Sequence, residues 1–255
     1  MPMLPWLTRP VATNERDWVE EYARLPLVEW QGPDHVLLRN IRNFRYRTRD
    51  DYLPAWYDAS YDLKQAQTVD VIASYWSSKA IAHLFLSFGF RDGRHLAISI
   101  ETRRSQGQHY STWRGFFKNY MLTYVLADER DLIGVRTDIR NEQVYLYPIQ
   151  ITSETVQALL LDYLRRIEKL RYQPEFYHTL MNNCTSNILQ HAMAVAPQIK
   201  YNWKVLVSGY ADRYLYELGL LGEGPTFEQL KQCNRIVRPA RTVIDDDFSR
   251  QIRQR

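Results

Sequence analysis

The sequence predicts an α+β domain, an antiparallel β-sheet followed by helices that pack on it. Three observations predict it. Strand-length apolar runs dominate from Val69 to Tyr147. After Ile151 apolar residues recur every three or four positions, the period of a helix. Aromatic side chains make up 13% of the chain, a share suited to pleated, half-buried surfaces. With 255 residues, 45% of them hydrophobic, the chain is long enough for one buried core and too apolar for disorder.

Taken in order, Met1 to Thr13 carries Pro2, Pro5 and Pro10 and reads as an irregular lead-in. Asn14 is placed to cap an amphipathic helix to about Leu25, with Trp18, Tyr22 and Leu25 on one face and Pro26 ending it. Gly32-Pro33-Asp34 marks a turn. His35 to Thr48 alternates and reads as a strand, and Asp50 to Lys64, which contains Pro54, reads as a loop. Strands are predicted at Val69–Tyr75, Ala80–Phe90 and Leu96–Thr102, the last two joined by a hairpin turn at Asp92-Gly93. Met121–Ala127, Leu132–Arg136 and Val144–Pro148 complete the sheet. Ser153 caps a long helix whose apolar stripe runs from Val156 through Leu159, Leu160, Tyr163, Leu164 and Ile167 to Leu170. Asn182–Ala196 and Val205–Leu221 read as two more helices. The chain divides into a lead-in with its helix (1–33), a single catalytic-type domain (34–237) and a charged tail (238–255) that is expected to fray or lie on the surface.

The net charge of +4 is spread along the chain. It fits an anionic membrane surface, and equally a plain solvated basic surface. No zinc-finger spacing, basic heptad or RNP-like aromatic motif supports nucleic acid. Cys184 and Cys233 are the two cysteines and do not form a C-x-x-C pair. No apolar run is long enough to cross a bilayer, and Met1 to Pro10 lacks a signal-peptide apolar core. Neither H-E-x-x-H, a P-loop nor G-x-G-x-x-G occurs, so no metal and no cofactor is expected.

The chemistry points to Asn182-Asn183-Cys184-Thr185-Ser186-Asn187. Asparagines ahead of an apolar helical stretch are a helix start, which puts Cys184 in the first turn. Free amides and the helix dipole there favour a thiolate and offer donors to an oxyanion. The plainer reading is a small residue filling a helix–sheet seam. A nucleophilic cysteine needs a base, and His83 lies inside the apolar run Ala80–Phe90. Glu101 interrupts the next strand, so the hairpin places it to reach the Nδ1–H of His83 and fix the imidazole tautomer. The alternatives are a core histidine bonded to backbone and a Glu101 ion pair with Arg103 or Arg104. His178, just ahead of the cysteine helix, is the reserve base. His35, His95 and His109 are expected to be exposed, and His191 lies about two turns along the cysteine helix.

Together, Asn40-Ile41-Arg42-Asn43-Phe44, Ala82-His83 with Ser87-Phe88-Gly89-Phe90, Ser99 to Arg104, Glu129-Arg130-Asp131, Val144 to Pro148 and Asn182-Asn183-Cys184-Thr185 resemble the Lnb N-terminal periplasmic domain family, over about Asp34 to Leu221. The resemblance implies a permuted papain-like fold, in which the histidine precedes the cysteine, and a place in the bacterial envelope. It implies Cys184 as nucleophile, His83 as base and Glu101 as orienting acid, with Arg103, Arg104, Tyr110 and Asn183 lining the site. The implied activity is acyl transfer or hydrolysis on a lipid or lipoprotein substrate at a membrane surface. Peptidoglycan or peptide amide hydrolysis, and a non-catalytic module binding lipid or protein, are the alternatives.

Overall fold

The computed structural model describes residues 11–108, 119–222, 226–238 and 244–254. Its centre is an eight-stranded sheet built from β1 (Leu27–Trp30), β2 (His35–Arg42), β5 (Trp56–Asp62), β6 (Ala66–Ser78), β7 (Ile81–Phe90), β8 (His95–Arg103), β9 (Met121–Ala127) and β10 (Gln143–Pro148). The spatial order is β1-β2-β9-β8-β7-β6-β10, with β5 on β2. Every pairing in it is antiparallel except β2 with β9, which meet in parallel at Arg42↔Ala127. A separate ribbon joins β3 (Arg45–Tyr46) to β4 (Tyr52–Leu53). The Asp92-Gly93 hairpin forms as expected. Gly93 takes φ +85° in the turn, which a side chain would strain.

The helices are α1 (Glu129–Leu132), α2 (Ser153–Tyr172), α3 (Cys184–Val195), α4 (Trp203–Leu206), α5 (Ala211–Glu217), α6 (Phe227–Cys233) and α7 (Phe248–Gln251). The predicted stripe of α2 is buried throughout, and Thr152 rather than Ser153 caps the helix. Alternation along the strands sends Leu84, Leu86, Phe88 and Phe90 into a core with α2, while Phe85 joins Ile72, Val125, Leu132 and Phe248 on the opposite face. Both faces of the sheet are therefore covered, which is why all seven residues of β9 are buried.

Several expectations are corrected. The helix from Asn14 is only one tight turn, Glu20–Tyr22. Asn14 donates instead to the carbonyls of Leu170 and Arg171, and Val19 pairs with the backbone of Arg104. Leu27–Trp30 and Trp56–Asp62 are strands that the alternation did not reveal, and His35–Thr48 breaks at Arg42. Leu132–Arg136 is not a strand. It closes α1 and leads into one π-helical turn, Val135–Ile139. The segment 205–221 is broken around Gly209, where a Cβ would lie 2.2 Å from the Lys79 carbonyl oxygen. The tail does not fray within its described residues: Phe248 and Ile252 are buried, and Arg253 pairs with Asp70 and Glu129.

Candidate active site

Pairing between β7 and β8 runs from Gly89↔His95 to Leu86↔Ile98 and stops there, although β7 begins at Ile81 and β8 ends at Arg103. The two strands part at this point, and the first turn of α3 meets the opening. Asn183 sets that turn. Its side chain accepts from the Ser186 amide, and Ser186 Oγ accepts from the Asn183 amide, a reciprocal cap. Asn183 is thus a positioning element of the helix start rather than a free side chain.

His83, Ser99 and Glu101 project to the face that holds Phe85, with the His83 and Phe85 ring centroids 5.7 Å apart. His83 Nε2 lies 2.7 Å from Ser99 Oγ and 3.1 Å from Glu101 Oε1. Ser99 gives its only proton to Glu101 at 2.7 Å. It therefore accepts from Nε2–H, and that bond fixes the tautomer. Glu101 does engage the imidazole, but at Nε2 and not at the Nδ1 predicted from the hairpin. Neutral His83 then carries its lone pair on Nδ1. The ion-pair partner of Glu101 is neither Arg103 nor Arg104 but Arg136, at 3.2 Å, from the π-helical turn.

The electrostatics follow from these contacts. Burial alone would lower His83. The charge of Glu101 and bonding to Glu101 and Cys184 overcome it and raise the imidazole to about 9. Burial raises the Cys184 thiol, but the hydrogen bond and charge of His83, with the Leu84 amide, bring it below its ordinary value. Glu101 is held well below the carboxylate range: burial pushes it up, and His83, Arg136 and Ser99 outweigh that. The imidazole and the thiol thus stabilise each other's charged forms across the strand opening, an arrangement that favours a thiolate–imidazolium pair.

A profile of the Lnb N-terminal periplasmic domain family matches residues 52–215. The chain belongs to that family. No curated protein and no solved structure matches it. The family is one of periplasmic domains, and among the described residues no helix is long and apolar enough to cross a membrane. Within this Lnb-type domain the match spans His83, Glu101 and Cys184.

The remaining expected residues are placed differently. The Arg103 guanidinium bonds to the Tyr22 and Ala23 carbonyls and to Asn14, and stacks over Trp18 at 4.3 Å. Burial lowers it to about 10, and its role here is to pin the lead-in. Arg104 lies over the Tyr22 ring. Tyr110 and His109 lie outside the described residues. His178 Nδ1 accepts from the Leu180 and Met181 amides and closes the turn before α3. His35 is exposed, whereas His95 is half-buried. Cys233 is exposed, and both cysteines are free.

The hairpin register did not reveal Ser99 or Arg136. Ser99 shares the face of Glu101, a signal present in the alternation. Arg136 sat in a segment misread as a strand. A second polar cluster braces α3 from behind. His191 Nδ1 meets Asp162 at 2.6 Å, its Nε2 meets Tyr124 Oη at 2.8 Å, and its ring stacks on Tyr163 at 3.8 Å. The spacing Cys184, Asn187, His191 carried that signal, since these residues share one helical face.

Between α3 and β7 lies an apolar cavity of about 410 Å³. Leu84, Leu86, Thr185, Ile188, Val205 and Leu215 are among its walls. Leu84 follows His83 and Thr185 follows Cys184, so the cavity lies against the chain neighbours of both residues. Its size is that of a small-molecule site.

Proposed function

We propose that this domain is a cysteine-dependent acyltransferase or hydrolase of the bacterial envelope, acting on lipid acyl or lipoprotein-type substrates through an acyl-enzyme on Cys184. The observation that carries the proposal is the chain from the Cys184 thiol through His83 to Glu101, with each link shifted towards its charged form. The order of histidine before cysteine agrees with a permuted papain-like arrangement.

In the first half-reaction the Cys184 thiolate attacks an acyl ester carbonyl, and a carbon–sulfur bond forms. The amides of Cys184 and Thr185 precede the one taken by the cap, and as first-turn donors they are the groups to receive the oxyanion. Collapse breaks the ester carbon–oxygen bond, and His83 passes its proton to the departing alcohol. In the second half an amine or water attacks the thioester. Its proton goes to His83, the carbon–sulfur bond breaks, and the thiolate–imidazolium pair is restored. Ser99 and Glu101 keep Nε2–H engaged throughout, so that Nδ1 is the atom that exchanges protons.

The cavity favours an acyl chain over a peptide, because its walls are chiefly aliphatic. The test is mass spectrometry after incubation with a long-chain acyl p-nitrophenyl ester. An acyl adduct on Cys184, absent in Cys184→Ala, is expected. No adduct under conditions that label a control thiol enzyme refutes the proposal.

A further inference from the structure

Exposed apolar side chains lie close along the chain to both His83 and Cys184. Trp76 and Ile81 sit at the β6–β7 turn, each about half exposed, and Ile81 lies two residues before His83. Met181, at 74% exposure, lies three residues before Cys184. Tyr201, Trp203 and Tyr210 are exposed on the segment that follows α3. The β6–β7 turn and the segment that follows α3 share one end of the molecule. The Gly209 amide donates to the Ala80 carbonyl, Ser208 Oγ accepts from the Ala82 amide, and Trp203 packs on Tyr210 at 5.9 Å. A monomeric surface seldom clusters large apolar groups in this way without a partner.

Charge identifies the partner. The chain contains no Asp or Glu between Asp70 and Asp92, and none between Glu175 and Asp212. Those two stretches carry the rim and supply Lys79 and Lys200, both exposed, and Lys204, which pairs with Glu217. Asp212, which follows, is buried between Tyr75, Tyr147 and Lys231. Exposed tryptophan and tyrosine with lysines and no free carboxylate among them is the chemistry of a membrane interface bearing negative headgroups. The same segment walls the apolar cavity from within, through Ile199, Val205, Tyr214 and Leu215.

We propose that this rim seats the domain on an anionic phospholipid bilayer and so brings the wall of the acyl cavity against the leaflet. The purpose of the contact rests on the acyl-enzyme reading, but its test does not. The full chain is sedimented with sucrose-loaded vesicles of phosphatidylcholine alone, or of equal parts phosphatidylcholine and phosphatidylglycerol. Binding is expected to the mixed vesicles, and less to phosphatidylcholine or at raised salt. The double change Trp76→Ala with Trp203→Ala lowers partitioning by about tenfold or more. Lys79→Ser with Lys200→Ser lowers binding to the mixed vesicles alone, by about thirtyfold. Leu53→Ala, an exposed apolar change on β4, leaves partitioning unaltered. Should the tryptophan variant fail to fold, quenching of the native protein's tryptophan emission by brominated lipid replaces it, and quenching is expected. Absence of sedimentation, absence of quenching, or full binding by the folded tryptophan variant overturns the proposal; the first would make the rim a face for a protein. Cys184→Ala keeps its vesicle binding. An adduct from a soluble short-chain ester without vesicle binding therefore refutes only the membrane seat, and vesicle binding without any adduct refutes only the enzyme.

Discussion

Replacing Glu101 by Gln removes a charge while keeping the shape of the carboxyl. Glu101 provides the largest influence raising His83, whose imidazole stands at about 9 against an ordinary 6.5. That elevation corresponds to about 3 kcal/mol in favour of imidazolium. Burial acts in the opposite direction, so without the carboxylate the imidazole falls, and Cys184 alone is left to support its charged form. The Cys184 thiol then loses the cation that lowers it and rises. In the native protein the thiolate–imidazolium pair persists from the lowered pKa of Cys184 up to about 9. In Glu101→Gln that window narrows, and alkylation near pH 7 slows by up to the roughly two orders of magnitude that the elevation of His83 represents. The assay is the rate of iodoacetamide alkylation of Cys184 from pH 5 to 10, read by mass spectrometry to separate it from exposed Cys233. The native profile shows a shoulder at neutral pH, whereas the variant shows a single rise in the alkaline range. An unchanged shoulder refutes the proposed coupling. Stability has a matching signature. The contribution of His83 is full below its unfolded pKa and is lost as pH rises through about 9, whereas that of Glu101 is present above its unfolded pKa and is lost as pH falls into the acid range. Both are at full strength only between roughly pH 5 and 6, and Glu101→Gln flattens both flanks of the curve.

Arg253→Ala leaves Asp70 and Glu129 buried without their cation, which costs about 3–5 kcal/mol at neutral pH and less in acid; urea midpoints at the two pH values measure it. His191→Phe removes the bonds to Tyr124 Oη and Asp162, of which Tyr124 keeps Asn187 Oδ1 and Asp162 turns to solvent, for a loss of about 1 kcal/mol, seen as a lower melting temperature, while the pH profile of Cys184 alkylation keeps its shape. Each methylene added to an acyl ester strengthens apparent binding about fourfold until the cavity is full. Ile188→Trp moves that limit to shorter chains, which a series of ester lengths in the adduct assay reveals.

Much of the fold was legible because its signals were local. The stripe of α2, the Asp92-Gly93 turn and the helix start at Cys184 each depend on neighbours within a few residues. What failed depends on distant partners. The lead-in has a helical pattern, yet Arg103, eighty residues or more away, holds the Tyr22 and Ala23 carbonyls and overrides it. The segment Leu132–Arg136 is apolar enough for a strand. Asp131 instead faces the buried Arg42 guanidinium at 2.7 Å, and Gly134 packs under Ile244 and Phe248 from the tail. That Cys184, His83 and Glu101 come together was legible from residue type and order. Arg136 was not, since it reaches Glu101 only because that apolar segment coils.

The strand opening reconciles two facts that alternation alone sets against each other. Cys184 belongs to the core shared with α2, the face to which Leu84 and Leu86 point, whereas His83 alternates to the opposite face with Phe85. In a continuous sheet the backbone would lie between them, and neither would shift the other's charge. Because β7 and β8 stop pairing at Leu86↔Ile98, His83 stands at an opened edge, and the Leu84 amide is available to the thiol. The opening therefore does two things at once: it lets the imidazole and the sulfur meet through the plane of the sheet, and it leaves Ser99 and Glu101 on the far side to hold the ring. A substitution that zipped the strands together would separate His83 from Cys184 without altering either residue.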